Sequence, residues 1–512
     1  MYIGKSGMLR LLVLVLVFGI GRTNAAEYYV STTGNNGNVG SSGAPWRTLQ
    51  FAANEVGPGD RVVVLPGNYT GFHLTTSGLP ASPIEFFAQP GVNITQRNVV
   101  TPDGINLESA SYIVIDGFKV AAMPRAGVRS VGLPSNFAEH VTVRNVTAQN
   151  NGVWGIFTGH VDDLLIENNK TSGSLDEHGI YVSNSGDRPV IRNNTAWGNR
   201  GNGIHMNGDL SQGGDGIISD ALVSGNIIYD NGLGGGSGIN MDGVQDSRIE
   251  NNLLYNNHAS GISLYQIDGG GGSSGNVVIN NTVHQAADGR WALNIQQESI
   301  NNTVFNNILL SDHSFRGAID ISDESLSGLT SDYNIMIARF NVTIDEEAGV
   351  EESFDLAGWQ DDTGQDAHSL AVTPAAYASL FVNLAGDNYQ LSPTSLARNS
   401  GTSQLAPLFD LLGQLRGAEV DRGALEYYAS STADYDGDGD VDGRDFLRWQ
   451  RNPSVGSLTD WQASYGMGGL VAVNTAAEAA SPVPEPGTLS LFAAVLVFGC
   501  SIRGNRQNFL AI

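Results

Sequence analysis

Tyr181 and His205 lie 24 positions apart, and His178 stands three residues before the tyrosine and two after Asp176. An imidazole and a phenol on one face can take a proton from the carbon next to a carboxylate and return one to a leaving oxygen. His205 or His178 would be the base, Tyr181 the acid, and Asp176 the group that orients His178. The enolate formed in such a step needs its charge neutralised, and Asp242 is expected to hold a cation for that purpose. Trp154, Tyr265 and Trp291 add rings that suit the apolar faces of a sugar, and Asn207, Asn240 and Asn294 add amides for its hydroxyls. Lysine is scarce, leaving Lys119 and Lys170 as the candidates for a lysine base, while Arg192, Arg200 and Arg290 are cations suited to carboxylates.

A second pattern is independent of the first. The run from Asp434 to Asp445 places Asp434, Asp436, Asp438, Asp440, Asp442 and Asp445 around Gly439, with Val441 as the apolar member. Oxygens at loop positions 1, 3, 5, 9 and 12, with glycine at 6, form a calcium loop, in which Asp440 would contribute its backbone carbonyl.

These residues need a scaffold that brings distant positions side by side, and the chain repeats itself. Aligned on Asn145, Asn169, Asn194, Asn226, Asn252, Asn281, Asn307 and Asn334, the spacings are 24, 25, 32, 26, 29, 26 and 27. A second register follows each asparagine: Gly155-Ile156-Phe157, Gly179-Ile180-Tyr181, Gly203-Ile204-His205, Gly238-Ile239-Asn240 and Gly261-Ile262-Ser263. Short alternating strands between Gly/Asn turns cannot bury their apolar residues alone, but stacked coils can. Alternation sends each isoleucine inward and leaves Phe157, Tyr181, His205, Asn240, Ser263, Asn294 and Asp320 on one outer strip. The recurring asparagines are expected to bond along the stack, because an amide carries both a donor and an acceptor.

The 512 residues hold 26 Lys+Arg and 52 Asp+Glu, a net charge of −26, which argues against binding a nucleic-acid backbone. At 41% hydrophobic and 15% charged the chain is not globally disordered, and its one cysteine forbids an intramolecular disulfide. Lys5, Arg10, the apolar run 11–20 and Ala25-Ala26 read as an export signal. The expected divisions are a signal at 1–25, a solenoid at 26–428, a calcium module at 433–467, and a linker with tail at 468–512. A helix near Thr48–Glu55 is expected to cap the open N-terminal end, and insertions are expected on the last coils within 335–400.

The repeat, with Pro45-Trp46-Arg47-Thr48 and Pro58-Gly59-Asp60-Arg61-Val62 near its start, resembles the right-handed parallel β-helix of the pectate-lyase-like superfamily. Asp421–Tyr427 resembles the closing strand of that repeat. The acidic loop and following Phe446-Leu447-Arg448-Trp449 resemble a dockerin repeat, although Leu458–Gly466 has no acidic loop of its own, which argues against cohesin as a partner. Pro482-Val483-Pro484-Glu485-Pro486, an apolar stretch and Arg503 resemble a Pro-Glu-Pro sorting signal handled by exosortase systems. That resemblance implies a transient membrane anchor and retention at the cell envelope. Asp176-Glu177-His178 is similar to the Asp-Pro-His motif of alginate C5-epimerases, with glutamate in place of proline.

Fold class is therefore expected to be all-β, a right-handed parallel β-helix followed by a small helical dockerin-like module. The leading functional expectation is an envelope-retained polysaccharide lyase acting on a uronate-containing glycan, with calcium in the acidic loop and a second calcium in the groove as an option. The alternatives are a non-catalytic glycan-binding surface protein and a uronan C5-epimerase.

Overall fold

The computed structural model describes residues 25–345, 348–428, 433–436 and 441–465. The expected export signal, the sorting tail, and Asp438 and Asp440 of the acidic loop lie outside the described residues.

Each repeat folds into one coil of three short strands, and equivalent strands pair in parallel from coil to coil. The result is three 12-stranded sheets that share one core, the right-handed parallel β-helix expected from the repeat. Inward isoleucines form continuous stacks: Ile156, Ile180, Ile204, Ile239 and Ile262 are in register and fully buried. Glycine before each isoleucine lets the coils approach. A methyl group on Gly155 would strike the Gly179 carbonyl, and one on Gly261 the Ala292 carbonyl.

The asparagine series is structural. From Asn169 through Asn194, Asn226, Asn252, Asn281 and Asn307 to Asn334, each Nδ2 donates to the next Oδ1 at 2.9–3.1 Å. These amides are buried, so the ladder satisfies groups that would otherwise be costly to desolvate. A second ladder, Asn199–Asn231–Asn257, runs along another corner.

Helix Leu49–Glu55 forms at the N-terminal end, with the Thr48 hydroxyl accepting from the Phe51 amide at 3.2 Å. At the other end the repeat gives way to an antiparallel hairpin, Phe340–Asp345 with Val350–Phe354, and helix Leu356–Thr363. The segment Asp421–Tyr427 is not a closing strand. It lies along the side of the coils without a ladder: Asn280 Nδ2 donates to the Asp421 carbonyl at 2.9 Å, and the Ala424 amide donates to Thr282 Oγ1 at 3.0 Å. Beyond it, helices Gly443–Arg451 and Leu458–Ser464 enclose a small core of Ala433, Tyr435 and Val441. Among the described residues no helix is long and apolar enough to cross a membrane.

Candidate functional site

The outer strip sits on the second sheet, where Phe157, Tyr181, His205, Asn240, Ser263, Asn294 and Asp320 are consecutive partners in register. It continues upstream through Arg129 and Asn106 to His73, and downstream to Asn341. The strip divides into an aromatic half and a polar cleft.

In the aromatic half Trp154 stacks on Phe157 at 4.4 Å, and its Nε1 donates to Glu177 Oε2 at 2.7 Å. Tyr181 lies parallel to His205, with ring centroids 4.7 Å apart. The backbone amide of Asn202 donates to His178 Nδ1 at 3.1 Å, which places the proton of neutral His178 on Nε2. His178 Nε2 in turn faces His205 Nδ1 at 3.0 Å, so neutral His205 also carries its proton on Nε2. That Nε2 has neither a hydrogen-bond partner nor contact with solvent.

Desolvation lowers the His178 pKa to about 3 and holds His205 well below its usual range, the neighbouring imidazole adding to the second effect. Both rings are neutral at physiological pH, yet neither presents a free lone pair to a ligand. This geometry opposes the expected base role of His205 or His178. Asp176 does not orient His178; it is exposed and pairs with Arg200 at 3.4 Å, and Asn202 does the orienting. Tyr181 suits the acid role better, because burial raises its pKa and keeps the phenol protonated.

The polar half forms a cleft of about 440 Å³. Asn240, Asn294 and Asp320 of the strip line it together with Tyr265, Arg290 and, from the terminal hairpin, Glu351. Three of the expected binding residues, Asn240, Tyr265 and Asn294, therefore converge there. Two others, Asn207 and Trp291, are not among the residues that line it. Asn207 is buried, with Nδ2 shared between Tyr181 Oη and Asp268 Oδ2, each at 3.4 Å. Trp291 is half-buried on its turn, where its carbonyl accepts from the Gly261 amide.

Asp242 clamps a loop from the next coil. Its Oδ1 accepts from the amides of Ile267 and Gly269 at 2.9 Å, and its Oδ2 from that of Asp268 at 2.8 Å. Of the three arginines expected to receive carboxylates, Arg192 is paired with Glu167 at 2.7 Å and Arg200 with Asp176. Only Arg290 lines the cleft. The roles of Asn202, Asp320 and Glu351 were not foreseen; for Asp320 the signal was its place on the strip.

In the small C-terminal module, Asp434, Asp436 and Asp445 bring one carboxylate oxygen each within 4.8 Å of the others. An all-oxygen, anionic donor set of this kind fits a hard divalent cation such as calcium. Asp442 instead caps helix Gly443–Arg451, accepting from the Arg444 amide at 2.6 Å.

Residues 84–209 and 154–326 match a family described as a right handed beta helix region. Among solved structures, pectate lyase Pel9A is similar over 80% of this chain and 98% of its own, at 19% identity and a TM-score of 0.53. An alginate lyase from Paenibacillus sp. str. FPU-7 is similar over 53% of this chain and 94% of its own, at 19% identity and a TM-score of 0.41. No curated protein sequence matches. At 19% identity the likeness to the pectate lyase is one of fold, and the reaction must be argued from the site.

Proposed function

We propose that this chain is an exported, envelope-retained β-helix protein that binds a uronate-containing polysaccharide along the second sheet and cleaves it by β-elimination. The observation that supports this reading is the unbroken register from Phe157 to Asp320, which runs from stacked rings into the cleft of about 440 Å³. Rings and amides repeating at the inter-strand distance of about 4.8 Å form a continuous surface for an extended glycan.

The test is to incubate the protein with a panel of pectic, alginate and glycosaminoglycan polymers and follow the ultraviolet absorbance of the unsaturated uronyl product. Appearance of the product with one polymer supports the lyase. Binding of a polymer without product overturns the reaction and favours the non-catalytic glycan-binding reading, for which the engaged lone pairs of His178 and His205 speak. The C5-epimerase reading loses its main motif, because Asp176 is paired with Arg200 rather than with His178.

Calcium in the loop of Asp434, Asp436 and Asp445 belongs to the same proposal, as a stiffener of the C-terminal module. Its donor cluster supports that assignment. Export and envelope retention rest on the two termini read from sequence.

A further inference from the structure

We propose that the reacting uronate sits in the cleft of the second sheet, with Arg290 binding its carboxylate, Asp320 taking the C5 proton and Tyr265 protonating the leaving oxygen. This rests on the lyase reading and assigns its chemistry to residues two to four coils beyond His205.

Arg290 is the first support. In a chain of net charge −26, arginines such as Arg61, Arg125, Arg144, Arg188 and Arg192 are paired with carboxylates. Arg290 is exposed on the cleft wall, and among the described residues it has no ion-pair partner. An unpaired guanidinium beside amides and hydroxyls is suited to a planar carboxylate, which it can bind through two parallel hydrogen bonds.

Asp320 is the second. It follows Asn294 in the register and precedes Asn341. Asn341 Nδ2 donates to Asp320 Oδ1 at 2.9 Å, and Ser353 Oγ donates to Asn341 Oδ1 at 3.3 Å, so the carboxylate is held from the hairpin side. Its Oδ2 accepts no hydrogen bond from the described residues, which leaves one oriented oxygen for a ligand. Burial, reinforced by Glu351 and opposed by the Asn341 hydrogen bond and Arg316, raises the Asp320 pKa to about 6. Such a carboxylate is ionised at neutral pH and more basic than an exposed one. Tyr265 lines the same cleft, and burial together with Asp242 keeps its phenol protonated.

The step balances. The C5–H bond breaks, its proton passes to Asp320 Oδ2, and its electron pair becomes the C4–C5 double bond. The C4–O bond breaks, its electrons stay on the departing oxygen, and that oxygen takes the Tyr265 proton. Exchange with water restores both side chains.

The decisive experiment compares wild type, Asp320→Asn, Tyr265→Phe and Arg290→Ala on the polymer that yields unsaturated product, with thermal melts confirming that each variant folds. Asp320→Asn is expected to lower kcat by roughly 10²–10⁴-fold with KM nearly unchanged. Tyr265→Phe is expected to lower kcat in the same way. Arg290→Ala is expected to raise KM tenfold or more, with partial rescue in Arg290→Lys. In wild type kcat should rise with pH through about 6 as Asp320 ionises. Wild-type turnover retained in Asp320→Asn overturns this assignment and leaves the lyase standing. No product from wild type with any polymer overturns both.

Discussion

His178 Nε2 and His205 Nδ1 lie 3.0 Å apart on neighbouring coils, and with the Asn202 amide donating to His178 Nδ1 that hydrogen bond sets both imidazoles in one tautomer. The pair works only when neutral, since a proton added to either ring would set two donors or two charges against each other. Folding lowers both pKa values, His178 to about 3.

The sign of the pH dependence follows. An unfolded histidine titrates near pH 6.5, so this contribution to stability is complete above that pH. It is lost as pH falls from about 6.5 toward about 3, because only the unfolded chain takes up the proton. Each unit of that interval weakens folding by up to about 1.4 kcal/mol per histidine. Chemical denaturation measured across the interval should show the decline, and His178→Gln should flatten it. A His178→Gln profile as steep as wild type would show that other groups set the acid limb.

The asparagine ladder gives a sharper stability test. Asn226 donates from Nδ2 to Asn252 Oδ1 and to the Ile191 carbonyl, both at 2.9 Å, and its Oδ1 accepts from the amide and the side chain of Asn194. Asn226→Ala strands those partners in a buried corner, and each unsatisfied group costs about 1–3 kcal/mol. A loss of about 3 kcal/mol or more is expected in urea denaturation. Asn226→Asp should be at least as damaging, because it places a charge where two donors are required. Substitution of exposed Asn68, outside the ladder, should change little.

Asp242 makes a prediction about the cleft rather than the core. Its carboxylate holds the amides of Ile267, Asp268 and Gly269, and the loop they belong to places Ile267 at the cleft edge. Asp242→Ala removes all three bonds at once. The expected result is faster proteolytic cutting near Gly269–Gly272 and weaker glycan binding, with most of the global stability retained. Equal protease resistance would mean that the loop's backbone bonds, from the Leu210 amide to the Asp268 carbonyl at 2.9 Å and from the Gly270 amide to the Gly216 carbonyl at 2.8 Å, hold it without the carboxylate.

The strip was legible because alternation and a repeat of 24–32 residues fix which side chains stack, and the observed register from Phe157 to Asp320 follows it. The cleft was less legible. Glu351 comes from a hairpin and Arg290 from a turn, and neither position follows from the repeat. The second asparagine ladder has its own spacing in the sequence: Asn199, Asn231 and Asn257 each stand five residues after an asparagine of the first. His178 misled because Asp176 is its near neighbour in sequence, whereas Asn202 reaches it from the next coil. Asp421–Tyr427 misled in another way. It is extended and packs on the coils, but it meets the side chains of Asn280 and Thr282 rather than a strand edge.

The acidic loop separates metal binding from folding, because its aspartates do different work. Asp445 is fully buried, and its Oδ1 accepts from the amides of Tyr435 and Asp436 at 2.6 and 3.0 Å while Oδ2 accepts from that of Asp442 at 2.8 Å. Asp434 and Asp436 bring carboxylates to the same point, and their mutual repulsion is what a divalent cation would relieve. Trp461 reports on the module, since its Nε1 donates to the Asp442 carbonyl at 2.8 Å. Calcium titrated into the full chain should release heat and change the Trp461 fluorescence. A saturating excess of about 100-fold over Kd should stabilise the module by about 2.7 kcal/mol. Asp434→Ala should abolish the heat while leaving the metal-free fluorescence close to wild type, whereas Asp445→Ala should alter that fluorescence before any calcium is added. Calcium heat that survives Asp434→Ala would place the ion elsewhere in the chain.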